Sequence, residues 1–182
     1  SANEYFCMRA ALHSGLEVPV FELSDHGKFL VVERFDLNER GYLGFEDFCV
    51  LNAWPSKAKY DGSYEGAARQ IKEFVSPPLL NDALESFFKI VALSSALKNG
   101  VLYEHCGADA QIRLAPAYDI VTTSVYIKAD SMALLLGGSK AWPKYKMLMR
   151  FGRSACNLTE GRCNELLQQV VHGMDVALAE MA

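Results

Sequence analysis

Apolar and polar positions along the chain follow a helical period in some stretches and a strand period in others, and the turn residues between them mark the boundaries. Residues 3 to 13, NEYFCMRAALH, put Phe6, Ala10 and Leu12 on a helical repeat and run into Ser14-Gly15, where glycine can close a helix. VPVFELSD and KFLVVERFD are β-branched or aromatic runs on either side of Asp25-His26-Gly27, which predicts a hairpin. FEDFCVLNAW fits a helical turn, and KYDGSYEG is rich in turn formers. Tyr64 to Val75 returns to the helical period until Ser76-Pro77-Pro78 stops it.

From Asn81, NDALESFFKIVALSSAL offers an Asp82/Glu85 capping box followed by apolar residues at 84, 87, 88, 91, 92, 96 and 97, which predicts a central buried helix. VLYE and QIRLAP flank HCGAD as a second hairpin, and TTSVYI and SMALLLGG alternate around a turn at Lys128-Ala129-Asp130. Thr159 can cap a long amphipathic helix whose apolar stripe runs through Cys163, Leu166, Leu167, Val170, Val171, Met174 and Leu178. The pattern is α+β, mostly helical, with hairpins rather than βαβ units.

The composition, 51% apolar and 22% charged over 182 residues, suits one sizeable core in one domain or two small lobes. A formal charge of −4 with both signs spread along the chain leaves no polybasic stretch, so direct nucleic-acid or membrane binding is not expected. No apolar run approaches the roughly 18 to 20 residues of a membrane span, and SANEYFCMRAA does not read as a signal peptide, so the expected location is cytoplasmic. Cys7, Cys49, Cys106, Cys156 and Cys163 are odd in number and widely spaced, which predicts buried free thiols. His13, His26, His105 and His172 stand apart from one another and from acids at ligand spacing, so surface or capping roles are expected.

Three places could carry chemistry. RLAPAYDIVTT, residues 113 to 123, sets Asp119 in an otherwise apolar run; an unpartnered buried carboxylate costs several kcal/mol, so it must cap a turn or hold a cation such as Mg²⁺. Glu33-Arg34-Phe35-Asp36, ending the strand KFLVV, reads either as an edge leaving the core or as a hinge whose backbone groups meet a flat heteroaromatic ring. Lys98-Asn99-Gly100 is a turn, or supplies the second metal-binding side chain of a phosphoryl-transfer site.

The ordered set LVVERFD, KYDGSYEG, a helix ending in ALKNG, VLYE, RLAPAYDIVTT and SMALLLGG resembles the carboxyl-terminal region of the HipA-type toxin serine/threonine kinases, from about Asn3 to Arg153. The resemblance implies the C-terminal lobe of a protein-kinase-like fold with β-hairpins beside the active site, over residues 1–153. The amphipathic helix of 154–182 would pack on the same lobe. It further implies Glu33, Arg34 and Phe35 at the adenine of ATP, and Tyr118 and Asp119 at nucleotide and Mg²⁺, with Asp119 as the metal ligand. The implied substrate is a Ser or Thr hydroxyl on a protein, and the implied partner a HipB-type DNA-binding antitoxin.

Two departures follow. The family's upstream lobe, with its phosphate-covering loop and ATP-binding lysine, has no counterpart ahead of Asn3, so this chain alone is expected to be inactive. The family's catalytic loop, N-x-D-x-H-x-K-N, is also expected between the long helix and VLYE, where this sequence runs Leu97-Lys98-Asn99-Gly100-Val101; the segment from Glu85 to Tyr103 holds no Asp. Catalytic residues are therefore unassigned. Either the loop is deleted, giving a pseudokinase lobe that binds proteins, or Gly100 and Val101 flank an omitted segment; the flanking residues favour the second.

Overall fold

The computed structural model describes residues 1–53, 55–58, 60–93, 100–103, 111–124 and 126–181. Helix α1 (Ala2–His13) ends where Gly15 takes a φ of 70°, as the glycine signal predicts. Strands β1 (Phe21–Leu23) and β2 (Leu30–Val32) form the expected antiparallel hairpin, with Leu23 opposite Leu30. A second hairpin, β3 (Leu37–Asn38) with β4 (Gly41–Tyr42), follows directly. FEDF then divides between two elements: β5 (Gly44–Asp47) and the short helix α2 (Phe48–Leu51), whose first turn Asp47 caps by accepting from the Val50 N–H at 2.8 Å.

Helix α3 (Tyr64–Phe74) is capped by Ser63, whose Oγ accepts from the Gly66 N–H at 3.0 Å. The proline pair beyond it forms a 3₁₀ turn, Pro77–Leu79, that leads into α4 (Leu80–Leu93). The helix therefore starts earlier than the capping box requires. Asp82 lies inside the first turn, and Glu85 instead accepts two bonds from Arg162, each 2.7 Å long. Strands β6 (Gly100–Tyr103) and β7 (Arg113–Leu114) pair as the flanks of HCGAD should, while 105–109 and the apolar positions 96 and 97 lie outside the described residues. Unforeseen is the pairing of β6 with β5, which makes a three-stranded antiparallel sheet.

That sheet corrects one expectation. Gly100 and Val101 face Asp47 and Glu46 in consecutive register, so the chain passes straight through the junction with no omitted segment between them. TTSVYI and SMALLLGG likewise form no hairpin among the described residues: Tyr126 and Ile127 are 75% and 50% exposed, so TTSVYI separates no buried face, whereas Met132 and Leu136 of SMALLLGG are buried. Isolated bridges join Leu135 to Ser63 and Leu136 to Ser139 instead.

Helices α5 (Tyr145–Ser154) and α6 (Glu160–Ala179) complete the chain, with Thr159 capping α6 through the Arg162 N–H. The α6 stripe is only partly the expected one. Cys163, Leu166 and Val170 are buried, but the buried line continues through Gly173 and Ala177, and Val171, Met174 and Leu178 face outward. Small residues won because α1 crosses there at close range. A Cβ on Gly173 would lie 2.2 Å from Ser14 Oγ and 2.7 Å from the Ala10 carbonyl oxygen. Cys163 and Leu166 join the core made by Tyr64 and Ile71 of α3, Leu84, Phe87, Phe88 and Val91 of α4, and Phe151 of α5. The Phe88 and Phe151 rings stack with centroids 6.4 Å apart.

Among the described residues the cysteines are free thiols: Cys156 and Cys163 are buried, Cys7 and Cys49 partly so, and Cys106 is outside the description. His26 and His172 are exposed, and His13 meets Glu180 at 2.9 Å. No helix among the described residues is long and apolar enough to cross a membrane.

Gly173→Ala should cost about 1–3 kcal/mol, because the obstruction includes backbone. Thermal melts should show its Tm roughly 2–12 °C lower, whereas Gly161→Ala, which enters open space, should leave Tm unchanged or slightly higher. The Arg162 guanidinium holds the Glu85 carboxyl below its ordinary value of 4.5. That contribution is complete above 4.5 and is lost as pH falls through the lowered value. Arg162→Gln, at a partly exposed pair, should cost about 1 kcal/mol at pH 7, and denaturant titrations of the two proteins should converge in acid.

Candidate functional site

The end of β2 and the start of the turn after it bring Val32, Glu33, Arg34, Phe35 and Asp36 to the mouth of a cavity of about 310 Å³. Glu4 of α1, Phe45 of β5, and Tyr118 and Asp119 complete its lining. The five site residues expected from sequence, far apart in the chain, thus share one cavity. Aromatic packing unites them: the Phe35 ring lies 4.9 Å from Tyr118 and 5.9 Å from Phe45, and Phe45 meets Tyr118 edge-on at 6.1 Å. Phe35 and Tyr118 are each half-buried, so the cluster forms a wall rather than a sealed core.

The hinge segment is narrower in capacity than its sequence suggests. The β1–β2 ladder extends one bond past its last paired strand residue, with the Glu33 N–H donating to the Val20 carbonyl at 2.8 Å. A flat ring could therefore take no donor from Glu33, only from the turn beyond. Arg34 folds back on Asp36 with a two-point bond at 2.9 and 2.6 Å, and its guanidinium sits 5.1 Å from the Tyr42 ring centroid. The pair holds the Asp36 carboxyl below the ordinary carboxylate range and fixes the turn's shape.

Asp119 is half-buried with a φ of 51°, a left-handed conformation that costs a residue with a Cβ of order 1 kcal/mol. One of the N–H groups a turn-capping carboxylate would take, that of Thr122, donates instead to Asn3 Oδ1 at 3.1 Å, while Asn3 Nδ2 donates to the Thr122 carbonyl at 2.8 Å. The Asn3 side chain thereby pins the loop as a strand neighbour would. Burial, with Asp47 and Asp119 nearby, pushes the Tyr118 hydroxyl up to about 12. It is a neutral phenol at physiological pH, able to donate a hydrogen bond.

By formal count the lining holds four carboxylates, Glu4, Glu33, Asp36 and Asp119, to the one guanidinium of Arg34. Such a cavity repels a bare polyphosphate and favours one carried by a divalent cation. No cluster of three or more His, Cys, Asp or Glu poised for a metal occurs among the described residues. Mg²⁺ needs none, because it keeps waters and substrate oxygens and takes only one or two carboxylates. Asn99 lies outside the described residues.

Sequence reasoning missed Glu4, Val32 and Phe45 in the lining, and Asn3 behind it. Phe45 sits in a run that fits a helical turn and gives no sign of a site, and the Asn3 bond spans 119 positions, so no local pattern marks it. Because glycine carries no left-handed penalty, Asp119→Gly should be about 1 kcal/mol more stable than Asp119→Ala, both having lost the carboxylate. Urea titration of the two variants measures the difference.

The sequence matches the model of the HipA-like C-terminal domain over residues 1–178. A protein of Sinorhizobium fredii (strain NBRC 101917 / NGR234) named "Putative kinase Y4dM" is 28% identical over 156 residues, which is 73% of this chain and 36% of that protein. The fold is similar to HipA in the Shewanella oneidensis MR-1 complex of HipA, HipB and operator DNA, with a TM-score of 0.71 at 16% identity, over 98% of this chain and 48% of that one. The chain thus spans between about a third and a half of the length of these relatives. A match that runs almost end to end over a mixed helix-and-sheet fold places this chain in the HipA family, as its C-terminal domain.

Proposed function

We propose that the cavity between Phe35 and Asp119 binds the adenosine nucleotide of ATP–Mg²⁺, and that the intact protein transfers the γ-phosphoryl group to a Ser or Thr hydroxyl of a protein. The carrying observation is the convergence of the strand-end segment and Asp119, across 86 positions of sequence, on one aromatic wall. In this reading Glu33, Arg34 and Phe35 frame the adenine, Tyr118 donates to the nucleotide, and Asp119 holds Mg²⁺. The cation would neutralise phosphate charge and align the transferring group. Membership of the HipA family supports a toxin role paired with a HipB-type DNA-binding antitoxin. The single lobe has one wall of the cleft, so the isolated chain should not phosphorylate protein.

A second reading, nucleotide and protein binding without transfer, is favoured by the catalytic loop. Since the chain is continuous at Gly100–Val101, N-x-D-x-H-x-K-N can be laid without a gap so that its last two residues fall on Lys98-Asn99. Ser94 then stands in place of the base and Ala96 in place of the His. The loop keeps its length and its Lys-Asn end but loses the proton acceptor, whose contribution is typically 10²- to 10⁴-fold.

Titration of the full-length protein with a labelled ATP analogue, with and without Mg²⁺, tests binding. Magnesium-dependent affinity that falls at least tenfold in Asp119→Asn supports the site, and no binding by the full-length protein sinks it. Incorporation of labelled phosphate separates the two readings: transfer by the unaltered protein supports the kinase, whereas transfer gained only with Ser94→Asp supports binding alone.

A further inference from the structure

A second cavity, of about 300 Å³, shares no residue with the one between Phe35 and Asp119. One wall is a stripe along the 3₁₀ turn and α4, Leu79, Asp82, Ala83, Ser86 and Ile90, spaced as neighbours on a helix. The facing wall is the chain from Arg113 to Ala117, and Leu16 and Glu17 close one end. Arg113, Leu114 and Ala115 all line the cavity, although successive side chains leave opposite faces of a strand. The cavity therefore runs along the edge of β7, the outer strand of the three-stranded sheet. That edge has one open position. Ile112 turns both backbone groups toward Ser76, its N–H donating to Ser76 Oγ at 2.9 Å and its carbonyl accepting from the Ser76 N–H at 2.8 Å. Alternate residues of an antiparallel strand point their backbone groups the same way, so Arg113 bonds toward β6 and Leu114 directs its N–H and carbonyl into the cavity. Among the described residues neither group of Leu114 has a backbone partner outside the sheet. Beyond it the Ala117 N–H donates to the Glu17 carbonyl at 2.8 Å. Ser76 and Glu17 thus cover the edge on either side and leave a window centred on Leu114.

We infer that this window is a docking site for an extended segment of a partner protein, which adds to β7 as a short strand and sets an apolar side chain of leucine size, with a lysine or arginine next to it, in the cavity. The backbone pair selects a peptide, because the N–H and carbonyl of one extended residue meet both groups of Leu114. Leu16, Leu79 and Ile90 supply the apolar contact, and the small side chains of Ala83, Ala115 and Ala117 leave the room for it. Charge complementarity selects the basic neighbour. Glu17 and Arg113 neutralise each other at 3.1 Å, whereas the exposed Asp82 has no ion-pair partner among the described residues. A second copy of this chain is the poorer match: its own β7 edge lies behind the same Ser76 and Glu17, and a two-fold contact would set Asp82 near its own counterpart. The nucleotide cavity plays no part in this docking, so either reading can fail without the other.

The test is calorimetric titration of the full-length protein with acetyl-Lys-Leu-Lys-amide, whose two lysines serve either strand direction, alongside hydrogen exchange at the Leu114 amide. The peptide should bind and slow that exchange. Methylating the leucine nitrogen of the peptide removes the donor to the Leu114 carbonyl and should weaken binding roughly tenfold. Acetyl-Glu-Leu-Glu-amide should bind more weakly than the lysine peptide, and Asp82→Lys, at an exposed position, should reverse that preference while keeping the melting temperature. Absence of binding, equal binding by the methylated peptide, or a preference unchanged by Asp82→Lys would each overturn the inference. So would equally tight binding of leucine amide alone, which would make this a small-molecule cavity. Exchange at Leu114 already slow before any peptide is added would place another part of the same protein, or a second copy, in the window, and would overturn it too.

Discussion

Lys89 is 6% exposed, and its ammonium donates to the carbonyl oxygens of Ser14 and Gly15 at 2.9 Å each, with Gln169 Oε1 at 3.5 Å. Burial lowers the lysine's affinity for its proton, yet these acceptors are carbonyls at the C-terminal end of α1, where a positive charge complements the helix dipole. One side chain of α4 therefore fixes where α1 stops and where α6 may lie. The Gly173 crossing is compatible only with that placement. At its other end α1 supplies Glu4 to the cavity, Asn3 to the Asp119 loop, and Tyr5, whose ring lies 5.5 Å from Phe21 of the first hairpin. The candidate site is thus assembled on a helix whose position is set some 18 Å away along its axis, at about 1.5 Å per residue.

Legibility followed the range of the interactions. Helices α1, α3, α4 and α6 and the first hairpin were readable because their signals, period, caps, prolines and a turn glycine, lie within each element. The α6 stripe was misread at Val171, Met174 and Leu178 because hydrophobicity ranks them above Gly173 and Ala177, whereas the close helix crossing selects for size. Glu85 was assigned to its own helix terminus for the same reason: a local motif was available, and the partner that holds it, Arg162, lies 77 positions away. The β5–β6 pairing escaped notice because FEDF has no alternation that distinguishes a strand from a helical turn.

At the candidate site, sequence pointed to residues that line one cavity, but not to how they engage one another. A motif can indicate that Phe35 and Asp119 belong to one function; only the fold shows that Phe35 reaches the Asp119 segment through the neighbouring Tyr118 ring. Nor could a motif show that Glu33 has already committed its N–H to Val20, or that Arg34 is occupied by Asp36. The acid-rich lining is a property of the assembly, since Glu4, Glu33, Asp36 and Asp119 come together only in the fold.

The Asn3 amide also bears on how the molecule responds to acid. The far end of α1 is tied to α6 by ionisable groups, Arg9 and His13 against Glu180. The near end is tied to the Asp119 loop by a side chain that neither gains nor loses a proton. Acid therefore acts on the two ends unequally: it discharges Glu180 while leaving the Asn3 clasp chemically intact. The loop that carries Asp119 is positioned by neutral dipoles, so its support on α1 keeps its form at a pH where the opposite end of the same helix has lost an ion pair.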